Sequence, residues 1–200
     1  MATRALWLTI GHRLARHDAP AAPPSGVPEG TSPESPTPRD ERAMERALEL
    51  AARAARLGEV PVGAVVYDTR SGRTLGEGYN RRERDAAPDA HAEALAIRAA
   101  CRELGDWRLN DATLVVTLEP CAMCAGLIVN ARVGRLVFGT RDPKAGAAGS
   151  LYRLTEDPRL NHRVRPIEGL CADRCAELLR AFFRDLRARR KSPDARTPRG

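Results

Sequence analysis

Residues 112–140 read ATLVVTLEP–CAMCAGLIVNAR–VGRLVFGT, and this stretch decides the fold. Ala112–Pro120 is an apolar, β-branched run closed by proline, which reads as a buried strand. Cys121–Arg132 reads as a helix and Val133–Thr140 as a second strand. A strand, a helix and a strand in succession form a crossover, the connection that parallel strands require.

Working outward, the same alternation recurs. Ala90–Leu104 (AHAEALAIRAACREL) predicts a helix. Val60–Asp68 is short and β-branched, a strand; a glycine-containing turn (TRSGR) leads to Thr74–Asn80 as its hairpin partner. A helical period of Met44, Leu48, Ala51 and Ala55 opens the domain near Asp40 and stops at Gly58. Ala176–Lys191 closes it as an amphipathic, arginine-rich helix. The expectation is a layered α/β domain over residues 41–191, with parallel pairing in its later part. Residues 1–40, dense in Pro, Ser, Gly and Ala, are expected to form a disordered extension, and 192–200 a flexible basic tail. The start carries Arg4, Arg13 and Arg16; a transit peptide, a basic tail and an early start remain equal readings of it.

Composition excludes some classes and favours others. Charged residues at 30% and hydrophobic residues at 42% suit a globular domain, and no run reaches the roughly 18 apolar residues of a membrane span. Five cysteines without a secretory signal argue for reduced thiols and a cytoplasmic location. Net charge is +7, and residues 159–200 hold 12 Lys and Arg against 5 Asp and Glu. The whole excess therefore lies in the last fifth of the chain, as suits a polyanionic partner, nucleic acid above all. A solvated basic helix is the alternative.

Two short motifs carry chemistry. In Asp89–Ala94, DAHAEA, His91 and Glu93 are two apart and share no helix side, but with Asp89 as N-cap both fall in the first turn and converge on the helix tip. In Leu118–Cys124, LEPCAMC, Cys121 and Cys124 also open a helix after a strand and a proline. A helix N-terminus favours the thiolate, the form that binds metal. Catalytic zinc takes three protein ligands and leaves one position for water. His91, Cys121 and Cys124 make three, and Glu93 remains for proton transfer. Zinc lowers the pKa of bound water to about 7, so the site would hold a hydroxide nucleophile beside a proton-shuttling carboxylate. Either motif alone is weak: C-x-x-C also serves structural zinc and redox sites, and H-x-E is common on surfaces. Together they match the H-x-E…P-C-x-x-C signature of zinc deaminases that act on nucleobases.

From about residue 41 to 191 the chain resembles the bacterial-type tRNA-specific adenosine deaminases. The segments that carry the likeness are EVPVGAVV, GEGYN, HAEALAIR, LEPCAMCAG, RLVFGTRDPKAGAAGS, NHRV and AELLRAFFR. The resemblance implies a cytidine-deaminase-like three-layer α/β/α sandwich with a mixed central sheet, one Zn2+ per subunit and a homodimer. It also implies hydrolytic conversion of adenosine to inosine at the wobble position (34) of a tRNA anticodon, the arginine tRNA with anticodon ACG being the expected substrate. Asn80 matches a base-contacting position, Val60 and Leu118 pocket walls, and Asp142 a loop that meets the anticodon strand. Phe182, Phe183, Arg184, Arg187, Arg189 and Arg190 match a tRNA-contacting helix, although at least one Phe fits the apolar stripe with Leu178, Leu179 and Leu186. Cys171 and Cys175 read as a helix-core pair, Cys101 as buried and His162 as structural. The alternatives are a free nucleobase or nucleoside deaminase of guanine or cytidine type, or a zinc-containing tRNA-binding subunit without activity, which Glu93 argues against.

Overall fold

The structure is a computed structural model that describes residues 35–191, for residues 190 and 191 the backbone alone. The readings of residues 1–34 and 192–200 lie outside it. Five helices and five strands follow one another as α1 (Pro38–Arg56), β1 (Gly63–Asp68), β2 (Thr74–Tyr79), α2 (Arg82–Asp85), α3 (Ala92–Leu104), β3 (Ala112–Leu118), α4 (Ala122–Asn130), β4 (Arg135–Thr140), β5 (Pro166–Glu168) and α5 (Ala172–Lys191). A short 3-10 turn spans Leu154–Glu156. The strands form one mixed sheet in the order β2-β1-β3-β4-β5. β1 is antiparallel to β2 and β3, while β3, β4 and β5 are parallel, as the crossover predicts.

Period-two alternation sorts the strand residues between two cores. Ala64, Val66, Leu114, Val116, Leu136 and Phe138 face α3 and α4, with Ile97 and Ile128 packed among them. Val65, Tyr67, Val115, Val137 and Ile167 face α1 and α5, against Met44, Leu48 and Cys175. Three layers result. Gly78 lets β2 lie directly on α3, since a Cβ there would collide with Ala92 O. Among the described residues no helix is long and apolar enough to cross a membrane.

The N-terminal helix is locked at its start. Thr37 and Asp40 form a reciprocal capping box, and Asp40, fully buried, also accepts from Tyr67 Oη (2.7 Å) and Arg135 Nη1 (2.5 Å). Arg135 reaches on to Ser35 O at 3.1 Å. The folded unit thus includes residues just before the expected boundary at 41. Several elements also differ from the sequence expectation at their ends. Val60–Val62 precede β1, α5 starts four residues early, and α2 and β5 had no counterpart because both are too short for periodicity to show.

Candidate active site

Strand polarity gathers the chemistry at one sheet edge. Gly63 at the start of β1 pairs with Tyr79 at the end of β2, and Ala64 with Val116 near the end of β3. Leu118 and Thr140 end β3 and β4 side by side. Val60 before β1, Asn80 after β2, His91 between α2 and α3, Cys121 between β3 and α4, and the loop after β4 therefore all stand at this edge.

His91 and Cys121 are the N-cap residues of α3 and α4, and neither side chain caps its own helix. This corrects the expectation that Asp89 caps α3; Asp89 instead accepts the His91 N–H at 2.8 Å. His91 thus sits just before the first turn, with Glu93 at the second helical position. His91 Nδ1 is 3.6 Å from both Cys121 Sγ and Cys124 Sγ. The three ligand atoms lie within 4.8 Å of one another, the set among the described residues that could hold a metal ion. In tetrahedral zinc with Zn–N near 2.0 Å and Zn–S near 2.3 Å, each N–S edge is about 3.5 Å. The donor set fits zinc in chemistry and spacing, with a fourth position open for water.

The electrostatics agree. Cys121 and Cys124 share a hydrogen bond that draws the Cys121 thiol far down, helped by His91, while the same bond and burial push Cys124 up. His91 is raised by its bond to Cys121. Glu93 is buried at 4% exposure, and loss of water pushes its carboxyl up to about 7. That is the range in which a carboxyl can both take and give a proton at neutral pH.

The other expected residues divide. Val60 and Leu118 are half-buried and pack against the core that holds Ile97 and Ile128. Asn80 is buried, donating Nδ2 to Glu59 Oε2 at 3.2 Å. Asp142 is half-buried and its Oδ1 accepts from Lys144 N and Ala145 N, closing a turn of its own loop. Phe182 is half-buried and meets the exposed Phe183 edge to face at 5.4 Å between centroids. Arg184 lies 3.6 Å from Glu177 on its own helix; Arg187 and Arg189 are exposed, and the Arg190 side chain lies outside the described residues.

α5 packs beside α1. Arg174 pairs with Glu45, and one groove is lined by Glu45, Glu49 and Ala52 together with Arg174, Glu177 and Ala181. The two helices therefore run side by side in the same direction. α5 starts near the site edge, where β5 ends beside β4 and Cys175 lies against Gly139. Elsewhere, Cys175 is buried against Met44, as a core residue should be, whereas Cys101 is only half-buried, its Sγ 3.6 Å from Trp107 O. His162 has the structural place expected, bonded to Val133 O at 2.8 Å.

Two carboxylates escaped the sequence reading. Glu59 accepts from Asn80 and from the backbone N–H groups of Glu83 and Arg84, so it anchors α2 beside the pocket. Glu119 accepts from Asp142 N, Ala148 N, Ser150 N and Ser150 Oγ. Burial pushes the Glu119 carboxyl up, but those donors outweigh it and the net displacement is downward. The available signal was a lone Glu in an apolar setting, GEVPVG and TLEPC, where a solvated charge has no place.

Comparison with known proteins agrees with this geometry. The MafB19-like deaminase family matches residues 39–187. A tRNA-specific adenosine deaminase of Bacillus subtilis is 45% identical over 154 residues, covering 77% of this chain and 94% of the relative. That of Haemophilus influenzae is 44% identical over 76% of this chain and 87% of its own. A structure solved in work on A-to-I editing by tRNA:A34 deaminases at the wobble position superposes with a TM-score of 0.66 at 43% identity, over 69% of this chain and 99% of its own. A guanine deaminase from Nitrosomonas europaea superposes at 0.64 with 26% identity, over 73% and 84%. By sequence, fold and the histidine–cysteine cluster, the chain belongs to the tRNA-specific adenosine deaminases within the MafB19-like deaminase family.

Proposed function

We propose that this chain deaminates adenosine to inosine at position 34 of a tRNA anticodon, with one zinc ion per subunit held by His91, Cys121 and Cys124. The observation that carries it is the pair of 3.6 Å His91–thiol distances beside the buried carboxyl of Glu93. Zinc held there would supply a water of lowered pKa as the nucleophile for C6 of adenine. Glu93 would take one proton from that water and deliver it to ring N1, then carry the second, from the C6 hydroxyl, to the exocyclic amine, so that the C–N bond breaks, ammonia leaves and the C6 carbonyl forms. Val60 and Leu118 enclose the flipped base and Asn80 contacts it. Asp142 meets the anticodon strand, and Phe183 with Arg184, Arg187, Arg189 and Arg190 engages the RNA beyond.

The arginine tRNA with anticodon ACG is the substrate we assign, acting in the cytoplasm. A homodimer fits an exposed apolar strip of Met123, Leu151 and Tyr152, the last lining an open groove of about 780 Å3 next to Ala122. Incubation with transcribed ACG tRNA, followed by sequencing for inosine at the first anticodon base, tests the reading. Turnover of free guanine or cytidine in place of the RNA would sink it.

A further inference from the structure

The loop after β4 lies against the metal ligands. Ala147 N donates to Pro120 O at 2.8 Å, and Cys121 pairs with Gly146 in an isolated antiparallel bridge. The loop is rich in small residues, AGAAGS over 145–150, which bury little surface with which to hold a shape. Beyond those bonds and the turn closed by Asp142 Oδ1, one carboxylate gathers it. Glu119 Oε1 accepts from Ala148 N (3.1 Å) and Ser150 N (2.9 Å), and Oε2 from Asp142 N (2.9 Å) and Ser150 Oγ. The loop wraps it so closely that a Cβ on Gly146 would overlap the carboxylate, and glycine is required there. Glu119 itself is 2% exposed and touches no catalytic group by these bonds.

We propose that Glu119 is a positioning residue for RNA: it clamps residues 142–150 into the shape that receives the anticodon strand before that strand arrives. The proposal rests on the tRNA deaminase reading and deepens it. A loop that must be ordered at the moment of binding subtracts that cost from affinity, and a preformed one does not. Asp142 hangs directly on the clamp through its own N–H, so its placement depends on Glu119 although the two side chains do not meet.

The test uses the zinc-loaded full chain. Glu119→Gln keeps the volume but turns one oxygen into a donor. Both oxygens face backbone N–H groups, so either amide orientation sets donor against donor. Gly146→Ala disturbs the same clamp from the loop side with the carboxylate intact. Zinc per chain, tryptic cleavage after Lys144, and Kd, KM and kcat on an anticodon stem-loop are measured for each. Both variants are expected to keep their zinc, to be cleaved faster, and to show Kd and KM raised about tenfold, with kcat within about twofold, the scale of one charge-assisted hydrogen bond. Unchanged Kd and KM overturn the proposal, whether or not cleavage accelerates. Zinc loss in both variants overturns it too, since Glu119 would then serve the metal ligands. Should Glu119→Gln not fold, Ser150→Ala removes the hydroxyl bond alone and carries the same comparison. If the wild type binds the stem-loop without forming inosine, the proposed function fails, while the Kd values still decide the clamp.

Discussion

His91 and Cys121 stand at the same place on two different helices, each the N-cap of its element, with Nδ1 and Sγ 3.6 Å apart. An N-cap side chain ordinarily accepts a hydrogen bond from its own first turn. Here both are aimed at each other, which leaves two helix starts uncapped and places two positive helix ends beside the thiolates.

Removing any member of that cluster should empty it. His91→Ala, Cys121→Ala and Cys124→Ala are each expected to purify with far less than one zinc per chain, read by elemental analysis. A chelator should lower the Tm of the wild type, because a ligand bound only to the folded state stabilises it by mass action. A variant that keeps a full zinc complement would contradict the assignment.

Glu93→Ala should do the reverse. Glu93 lies outside the ligand set, so zinc stays, while kcat falls by about 10²–10⁴ with the proton shuttle gone. Metal content and inosine formation measured on one preparation separate the two effects.

The buried pair of Asp40 and Arg135 should make part of the fold's stability depend on acid pH. Burial pushes the Asp40 carboxyl up, but Arg135, Thr37 and Tyr67 outweigh it and its pKa is lowered. A lowered carboxylate stabilises the fold above its ordinary pKa near 3.9, and that contribution fades as pH falls toward the folded value. Asp40→Asn leaves Arg135 buried without its anion and should cost about 3–5 kcal/mol at neutral pH. Urea titrations at pH 7 and pH 3 should show the difference shrinking at the acid end. An equal cost at both would place the loss elsewhere.

RNA binding should weaken with salt in proportion to the arginines of α5. Replacing the exposed Arg187 and Arg189 by Ala is expected to reduce the slope of log K against log salt by about 0.7–0.9 per phosphate contact, with little change in Tm. An unchanged slope would remove α5 from the interface.

Much of this was written in the sequence because long patterns are cooperative. β3 begins at Ala112 as read, and the crossover through α4 fixed parallel pairing before any coordinates. That His91, Cys121 and Cys124 come together was legible in residue chemistry and spacing. Short elements such as α2 and β5 escaped, having four and three residues and no period to detect. The cap of α3 was misread for a physical reason: Asp89 is the better capping residue, but the chain spends that position on His91. Glu59 and Glu119 were passed over because their partners are mostly backbone N–H groups from distant loops, which no side-chain pattern announces.

One backbone turn carries both His91 and Glu93, whereas the two sulfurs ride on α4. Ligand and proton carrier therefore travel as one rigid piece, and the seam runs between imidazole and thiolates. Were heat to loosen α3 from α4, the cluster would part along that seam, so metal release is expected to precede the loss of α3 itself, with Glu93 still seated on its own helix.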